Sequence, residues 1–231
     1  LSTMALHSVE GDVTVHTFAE GVDILRPLIN AVCRERTYTL HWDVVEPGTT
    51  STVFDDGSLR VTAFPLYHRV PCVGYRFDEV NKRRHIHRES CDYYGVPNFL
   101  MNEIKDGADL VLPDGVVVPN ERLTTDPTPP ASYAYCSDTA MDMRVAEAVK
   151  GVEVLYHEST YGDDGLHKAA PRGHSTARQA GEIARAAGAG SLVLGHYSKT
   201  IFDEARLASE AAEVFDGKVI AGNEGIKIDL A

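Results

Sequence analysis

Residues 12–18 alternate between polar and apolar side chains, the period of a half-buried strand. Val22, Ile24, Leu25, Leu28, Ile29 and Val32 then recur at helical spacing. Residues 38–45 alternate again, and the segments 52–54 and 59–64 flank Asp55-Asp56-Gly57-Ser58, which predicts a hairpin. A further strand is expected over 73–77. Between about residues 80 and 131 the rhythm breaks. Lys82-Arg83-Arg84, His85, His87 and Arg88 form a basic cluster, followed by Asp114-Gly115 and the proline-rich Asp126-Pro127-Thr128-Pro129-Pro130. This stretch predicts an inserted arm with a short helix near 97–105 and a small hairpin around Asp114-Gly115. Strand and helix alternate after the prolines. Strands are expected over 133–136, 152–156, 191–194, 218–221 and 226–228. Helices are expected over 141–150, 175–187 and 203–215, the second with Ala177, Ala180, Ile183, Ala184 and Ala187 on one face. Strands in succession, then strands alternating with helices, predict a layered α/β protein with a mixed sheet.

The 231 residues suffice for one large domain or two small ones, and 43% hydrophobic with 24% charged residues is a globular composition. No apolar run approaches the ~18 residues that span a bilayer, and the first residues do not resemble a signal peptide. Lys plus Arg number 22 against 34 Asp plus Glu, a net charge of −12 that disfavours general nucleic-acid binding. A local basic patch or a metal can still receive phosphate. Cys33, Cys72, Cys91 and Cys136 show no CxxC spacing, which argues against a disulfide framework or a cysteine zinc site and fits a reducing cytoplasm. The chain begins at Leu1 rather than Met, so residues upstream are expected.

Several polar residues directly follow apolar strands, where a layered α/β fold exposes its ligands. His68 follows Phe64-Pro65-Leu66-Tyr67, and Asp138 follows Tyr133-Ala134-Tyr135-Cys136-Ser137. His157 and Glu158 follow Val154-Leu155-Tyr156, and His196 follows Ser191-Leu192-Val193-Leu194-Gly195. Any one of these is more often a cap. Four such strand endings in one chain offer the imidazole and carboxylate ligands that suit zinc or a similar borderline metal. His174 precedes the predicted helix in Gly173-His174-Ser175-Thr176-Ala177, either as a residue next to a Ser or Thr cap or facing an anion at the helix start. His85-Ile86-His87 has HxH spacing in a basic stretch without an adjacent Asp. There Lys82, Arg83, Arg84 and Arg88 better suit contacts to RNA phosphates. His7, His16, His41 and His167 carry no supporting pattern.

The ordered set His68 with Pro71-Cys72-Val73-Gly74-Tyr75-Arg76, Ser137-Asp138-Thr139, His157-Glu158-Ser159-Thr160-Tyr161, His174-Ser175-Thr176-Ala177 and Gly195-His196-Tyr197-Ser198 resembles the ribonuclease Z family. These are tRNA 3′-processing endonucleases of the metallo-β-lactamase superfamily, and the resemblance runs the length of the chain. It implies an αββα sandwich with mixed sheets, a protruding arm at residues 80–131 that grips tRNA, and two zinc ions. His68 then binds one zinc, Asp138 bridges, His196 binds the other, and His174 is a catalytic histidine near the scissile phosphate. A homodimer acting on precursor tRNA in the cytoplasm is implied, leaving a 3′-OH on the tRNA. The arm lacks an obvious Gly-Pro-rich motif. The family's HxHxDH motif falls before the segment that Leu1 begins, so the N-terminal strands and that motif are expected to be missing here, leaving one zinc or none. Two rivals stand beside this expectation: a hydrolase of small phosphodiesters or other esters on the same fold, and a catalytically empty binding protein.

Overall fold

The computed structural model describes residues 1–230. The chain runs through α1 (Ser2–Leu6), β1 (Gly11–Thr17), α2 (Ala19–Val32), β2 (Tyr38–Val44), β3 (Ser51–Asp55), β4 (Leu59–Leu66) and β5 (Cys72–Glu79). There follow β6 (His85–Ile86), α3 (Arg88–Tyr93), α4 (Met101–Lys105), β7 (Leu110–Val111), β8 (Val117–Val118) and β9 (Thr124–Thr125). The remainder comprises β10 (Ser132–Cys136), α5 (Met143–Ala148), β11 (Val154–Glu158), α6 (Leu166–Arg172), α7 (Ala177–Ala187), β12 (Ser191–Gly195), α8 (Glu204–Ala212) and β13 (Lys218–Ala221). Contacts divide it into two compact units, Leu1–Asp78 with Ser132–Leu230, and Glu79–Ala131.

The larger unit is built on a seven-stranded sheet in the order β13-β12-β11-β10-β5-β4-β3, beside a two-stranded parallel sheet of β1 and β2. Strands β10 to β13 run parallel, whereas β10 pairs antiparallel with β5 and β3 with β4, so the large sheet is mixed. The β3–β4 turn is held by Asp56, whose Oδ1 accepts from the backbone N–H groups of Ser58 and Leu59, each at 2.8 Å. Helix α7 starts at a capping box in which Thr176 Oγ1 accepts from Gln179 N and the Gln179 side chain accepts from Thr176 N. It buries Ala177, Ala180, Gly181, Ile183, Ala184 and Ala187. The small residues let α8 approach: a Cβ on Gly181 would lie 2.7 Å from the Ala211 carbonyl oxygen. Phe64, Leu155, Ile183, Leu192 and Leu207 are fully buried in the core of this unit, each contributing roughly 1.5–3 kcal/mol by burial.

The smaller unit has its own core of Cys91, Val96, Ile104, Leu110, Val118 and Leu123. Its buried Asn120 donates to the carbonyls of Ile104 and Ala108, both at 2.7 Å, and accepts from Thr124 Oγ1 at 2.6 Å. The short helix and the hairpin at Asp114-Gly115 are present, and α3 and the β6–β9 pair add order within the basic stretch.

The strand expected over 152–156 is shifted to Val154–Glu158, which takes His157 and Glu158 into β11, and three further differences have local reasons. Residues 226–228 are not a strand, because Gly225 is left-handed (φ +80) and Ile226 N–H bonds Asn223 O in a turn. Helix α5 begins after Asp142, whose carboxylate caps it through Arg144 N–H at 2.8 Å. Ser175 stays outside α7 and donates its hydroxyl to the Thr139 carbonyl at 2.8 Å, leaving Thr176 as the cap.

Candidate metal centre

Parallel register delivers the site. Cys136 pairs with His157, and Glu158 pairs with Gly195, so β10, β11 and β12 end along one edge of the sheet. Asp138, Glu158 and His196 therefore arrive from neighbouring strands at the edge where open α/β sheets bind ligands. His68 follows β4, and His174 lies between α6 and α7. The ring centroids of His68 and His174 are 4.9 Å apart and those of His174 and His196 are 5.5 Å apart.

Asp138 stands between two imidazoles. Its Oδ2 is 3.9 Å from His68 Nε2, and its Oδ1 is 3.1 Å from His196 Nε2. Hydrogen bonds on the far side of each ring decide what those nitrogens carry. His68 Nδ1 lies 2.8 Å from the Gly173 carbonyl oxygen, which can only accept, so the proton sits on Nδ1 and Nε2 keeps its lone pair. His196 Nδ1 lies 2.9 Å from Thr160 Oγ1, whose own proton goes to Glu158 Oε2 at 2.7 Å, so His196 Nδ1 must donate as well. In the neutral rings two imidazole lone pairs thus face one carboxylate. That arrangement is repulsive until a cation enters, and it is the outer-shell pattern that orients metal-ligating histidines. The donors are imidazole and carboxylate, which suit a metal: ligand atoms of His68, Asp138 and His174 lie within 4.8 Å of one another, as do those of Glu158, His174 and His196, so His174 stands in both groups.

Glu158 is fully buried, and its two oxygens accept four hydrogen bonds. Oε1 receives Thr139 N–H at 3.0 Å and His174 Nδ1–H at 2.7 Å, and Oε2 receives Thr160 N–H at 3.0 Å and the Thr160 hydroxyl. His174 is therefore held at Nδ1, leaving Nε2 as its unclaimed nitrogen. Gly173 is needed as glycine: at φ +73, a Cβ there would lie 2.8 Å from His68 Nδ1. His196 adopts φ +57, a left-handed backbone unusual for a side chain of this size and a strain often found at functional sites.

Other expected candidates fall elsewhere. His157 is buried, with Nδ1–H donating to the Glu158 carbonyl at 2.7 Å and no partner at Nε2, and burial holds its pKa below the ordinary histidine value. The Cys72 thiol lies 3.4 Å from Ser137 Oγ, and burial raises its pKa, so it stays protonated. The four cysteines are free thiols. His85 and His87 lie in the smaller unit and join no ligand group among the described residues. Four of the six Lys and Arg residues of that unit have carboxylate partners within it: Lys82 pairs with Glu79 (2.6 Å), Arg83 with Asp106 (2.8 Å), Arg84 with Asp126 (2.5 Å) and Arg88 with Asp92 (3.1 Å). Sequence position offers Glu158 only as a strand-end candidate ligand, without its role in holding His174, and does not single out Gly173, Thr139 or Thr160 for a role. The only advance signal for Thr160 is its place in Glu158-Ser159-Thr160 after a strand.

A Ribonuclease Z from Parabacteroides distasonis is 42% identical over 230 residues, spanning 100% of this chain and 75% of that protein. The chain belongs to the ribonuclease Z family. No family model matches it. Among solved structures, the short form of human tRNase Z superposes with a TM-score of 0.55 at 18% identity, covering 86% of this chain and 65% of that one. The metallo-β-lactamase fold protein YhfI from Bacillus subtilis gives 0.53 at 18% identity, covering 90% of this chain and 61% of that one. The fold is thus of the metallo-β-lactamase kind. Among the described residues no helix is long and apolar enough to cross a membrane.

Proposed function

We propose that this protein is a zinc-dependent endoribonuclease that removes the 3′ trailer from precursor tRNA by phosphodiester hydrolysis, leaving a 3′-OH on the tRNA. The observation that carries the reading is the pair of imidazole lone pairs, on His68 and His196, converging on Asp138 in a chain of the ribonuclease Z family. His68, Asp138 and His196 would hold the metal, with one Asp138 oxygen toward each histidine. Bound there, zinc would activate a water and offset charge on the phosphoryl oxygens. His174 acts as the proton carrier through Nε2, since its Nδ1–H is committed to Glu158. The Glu158 carboxylate fixes that ring and balances its positive charge while it is protonated.

Residues Glu79–Ala131 would meet the RNA as an arm. There Lys82, Arg83, Arg84 and Arg88 would exchange carboxylate partners for phosphates, a mode of binding that weakens steeply with salt. A homodimer working in the cytoplasm completes the reading, and the four free thiols agree with a reducing compartment. The test is cleavage of a trailer-bearing precursor tRNA by the full-length protein with Zn²⁺, with the product ends mapped, beside hydrolysis of bis(p-nitrophenyl) phosphate. Cleavage at the trailer junction leaving a 3′-OH supports the proposal. Hydrolysis of the small diester without precursor cleavage would replace it with a small-phosphodiester hydrolase, and inertness on both would leave a binding protein.

A further inference from the structure

Thr160 lies just past β11, nearly buried, with its hydroxyl among three functional side chains. It donates to Glu158 Oε2 at 2.7 Å, accepts from His196 Nδ1 at 2.9 Å, and lies 3.3 Å from His174 Nδ1. Its backbone is held as well, with N–H to Glu158 Oε2 at 3.0 Å and its carbonyl accepting from Ser198 N at 3.1 Å. A hydroxyl has one proton to give. Because the carboxylate takes it, the oxygen can only accept from the imidazole, and the direction of both bonds is fixed.

We propose that Thr160 is a positioning residue whose single hydroxyl sets the tautomer of His196 and, by holding Glu158, the orientation of His174. The chain of consequence is short. With Nδ1 protonated, His196 turns its Nε2 lone pair toward Asp138. With Oε2 of Glu158 engaged, Oε1 is left facing His174 Nδ1. One atom thus joins the nitrogen offered to a metal with the ring proposed to move a proton. The left-handed backbone of His196 makes this hold necessary, since strained positions persist only where surrounding contacts over-determine them. The metal-facing part of this inference rests on the proposed function. The tautomer does not.

Two substitutions separate hydroxyl from shape. Thr160→Val keeps the volume and removes the hydroxyl, and Thr160→Ser keeps the hydroxyl and removes the methyl. Long-range ¹H–¹⁵N imidazole spectra of the metal-free protein read the tautomer, with the His196 signals assigned by their absence in His196→Asn. The wild type should show His196 protonated at Nδ1, Thr160→Ser should match it, and Thr160→Val should show a mixture of tautomers. Titration with Zn²⁺ should give a 10- to 100-fold loss of affinity in Thr160→Val, the usual effect of removing an outer-shell partner, and less than about threefold in Thr160→Ser. A side chain acting only in packing would instead leave the tautomer unchanged in Thr160→Val and be harmed by Thr160→Ser, and either result overturns the proposal. Should Thr160→Val fail to fold, the wild-type spectrum alone decides, because His196 protonated at Nε2 contradicts the assignment outright. Wild-type protein that bound no zinc would sink the reading of the metal centre, while the tautomer comparison would still judge Thr160.

Discussion

Replacing Glu158 by Gln changes one oxygen to an amide nitrogen at a fully buried point where all four partners donate. Neither orientation of the amide can satisfy them. With the nitrogen at the Oε1 position, His174 can shift its proton and accept at Nδ1, but Thr139 N–H is left without an acceptor. With the nitrogen at the Oε2 position, the Thr160 hydroxyl can turn and accept, but Thr160 N–H is stranded and His196 must change tautomer. Each case orphans one buried backbone donor, which costs about 1–3 kcal/mol. Two charge-assisted hydrogen bonds become neutral ones, at roughly 1 kcal/mol each. Removing a buried charge returns part of this as relief of desolvation. The net expectation is a loss of about 2–4 kcal/mol, and at roughly 2–4 °C per kcal/mol for a chain of this size Tm should fall by about 5–15 °C.

The assay is thermal unfolding by circular dichroism of wild type, Glu158→Gln and Glu158→Ala, with precursor cleavage measured well below each Tm. In the folded protein, Glu158→Gln should lower turnover at least 10²-fold, because one amide orientation shifts the His174 proton, the other changes the His196 tautomer, and both remove the carboxylate charge beside the proposed proton-carrying ring. A Tm within about 2 °C of wild type would refute the argument, since four donors would then not depend on a carboxylate. Full turnover in the stably folded variant would refute the role given to His174.

Three further outcomes follow from the same geometry. His174→Ala should keep its bound metal, measured by elemental analysis, while turnover falls about 10²- to 10⁴-fold; loss of metal along with activity would make His174 a ligand. Arg83→Ala with Arg84→Ala should weaken precursor-tRNA binding, lower the salt slope by roughly one unit per lost phosphate contact, and spare hydrolysis of a small phosphodiester; equal loss on both substrates would show that their pairs with Asp106 and Asp126 serve the fold. Asp142→Ala should remove the α5 cap at a cost of about 1 kcal/mol. The side-chain hydrogen bond from Arg144 holds the Asp142 carboxyl below its ordinary value, so its contribution is full above the usual carboxylate range and lost as pH falls through the depressed native value, and a stability–pH curve for Asp142→Ala lacking that acid-side loss is the check.

Much of the fold was readable because its elements bury one face at a regular period. Helix α7 announces itself through Ala177, Ala180, Ile183, Ala184 and Ala187, all of them buried. The strand at 191–194 reads as a short apolar run because the sheet buries all four residues but the first, whereas the strand at 133–136 buries Ala134 and Cys136 and leaves Tyr135 exposed. Helix α6 gives no such pattern: it is seven residues long, contains Pro171, and buries Ala169 alone. The alternation at Ile226 and Ile228 is real in sequence, yet a left-handed Gly225 places Ile226 in a turn and no pairing follows. In the arm, sequence shows the cations and hides their partners, because Asp106 and Asp126 lie far along the chain from Arg83 and Arg84.

The site was legible to the extent that chemistry sits where strands stop. His68, Asp138, Glu158 and His196 mark four strand ends, and parallel register is enough to gather those of β10, β11 and β12. What decides their chemistry has no linear signature. The Gly173 carbonyl sets the His68 tautomer only because a left-handed glycine lets the backbone approach that ring, and the Thr160 hydroxyl sets the His196 tautomer only because Glu158 has taken its proton. In the neutral rings both devices turn Nε2 lone pairs toward Asp138, an arrangement suited to a bound cation. With a net charge of −12 and four of the six Lys and Arg residues of the arm already paired, a polyanionic substrate meets little free positive charge on those four. On the proposed function, attraction at the scissile phosphate would come from a metal held by His68, Asp138 and His196, and attraction along the arm from exchange of its ion pairs. The first should respond to metal supply and the second to ionic strength, which makes the two separable in one binding experiment.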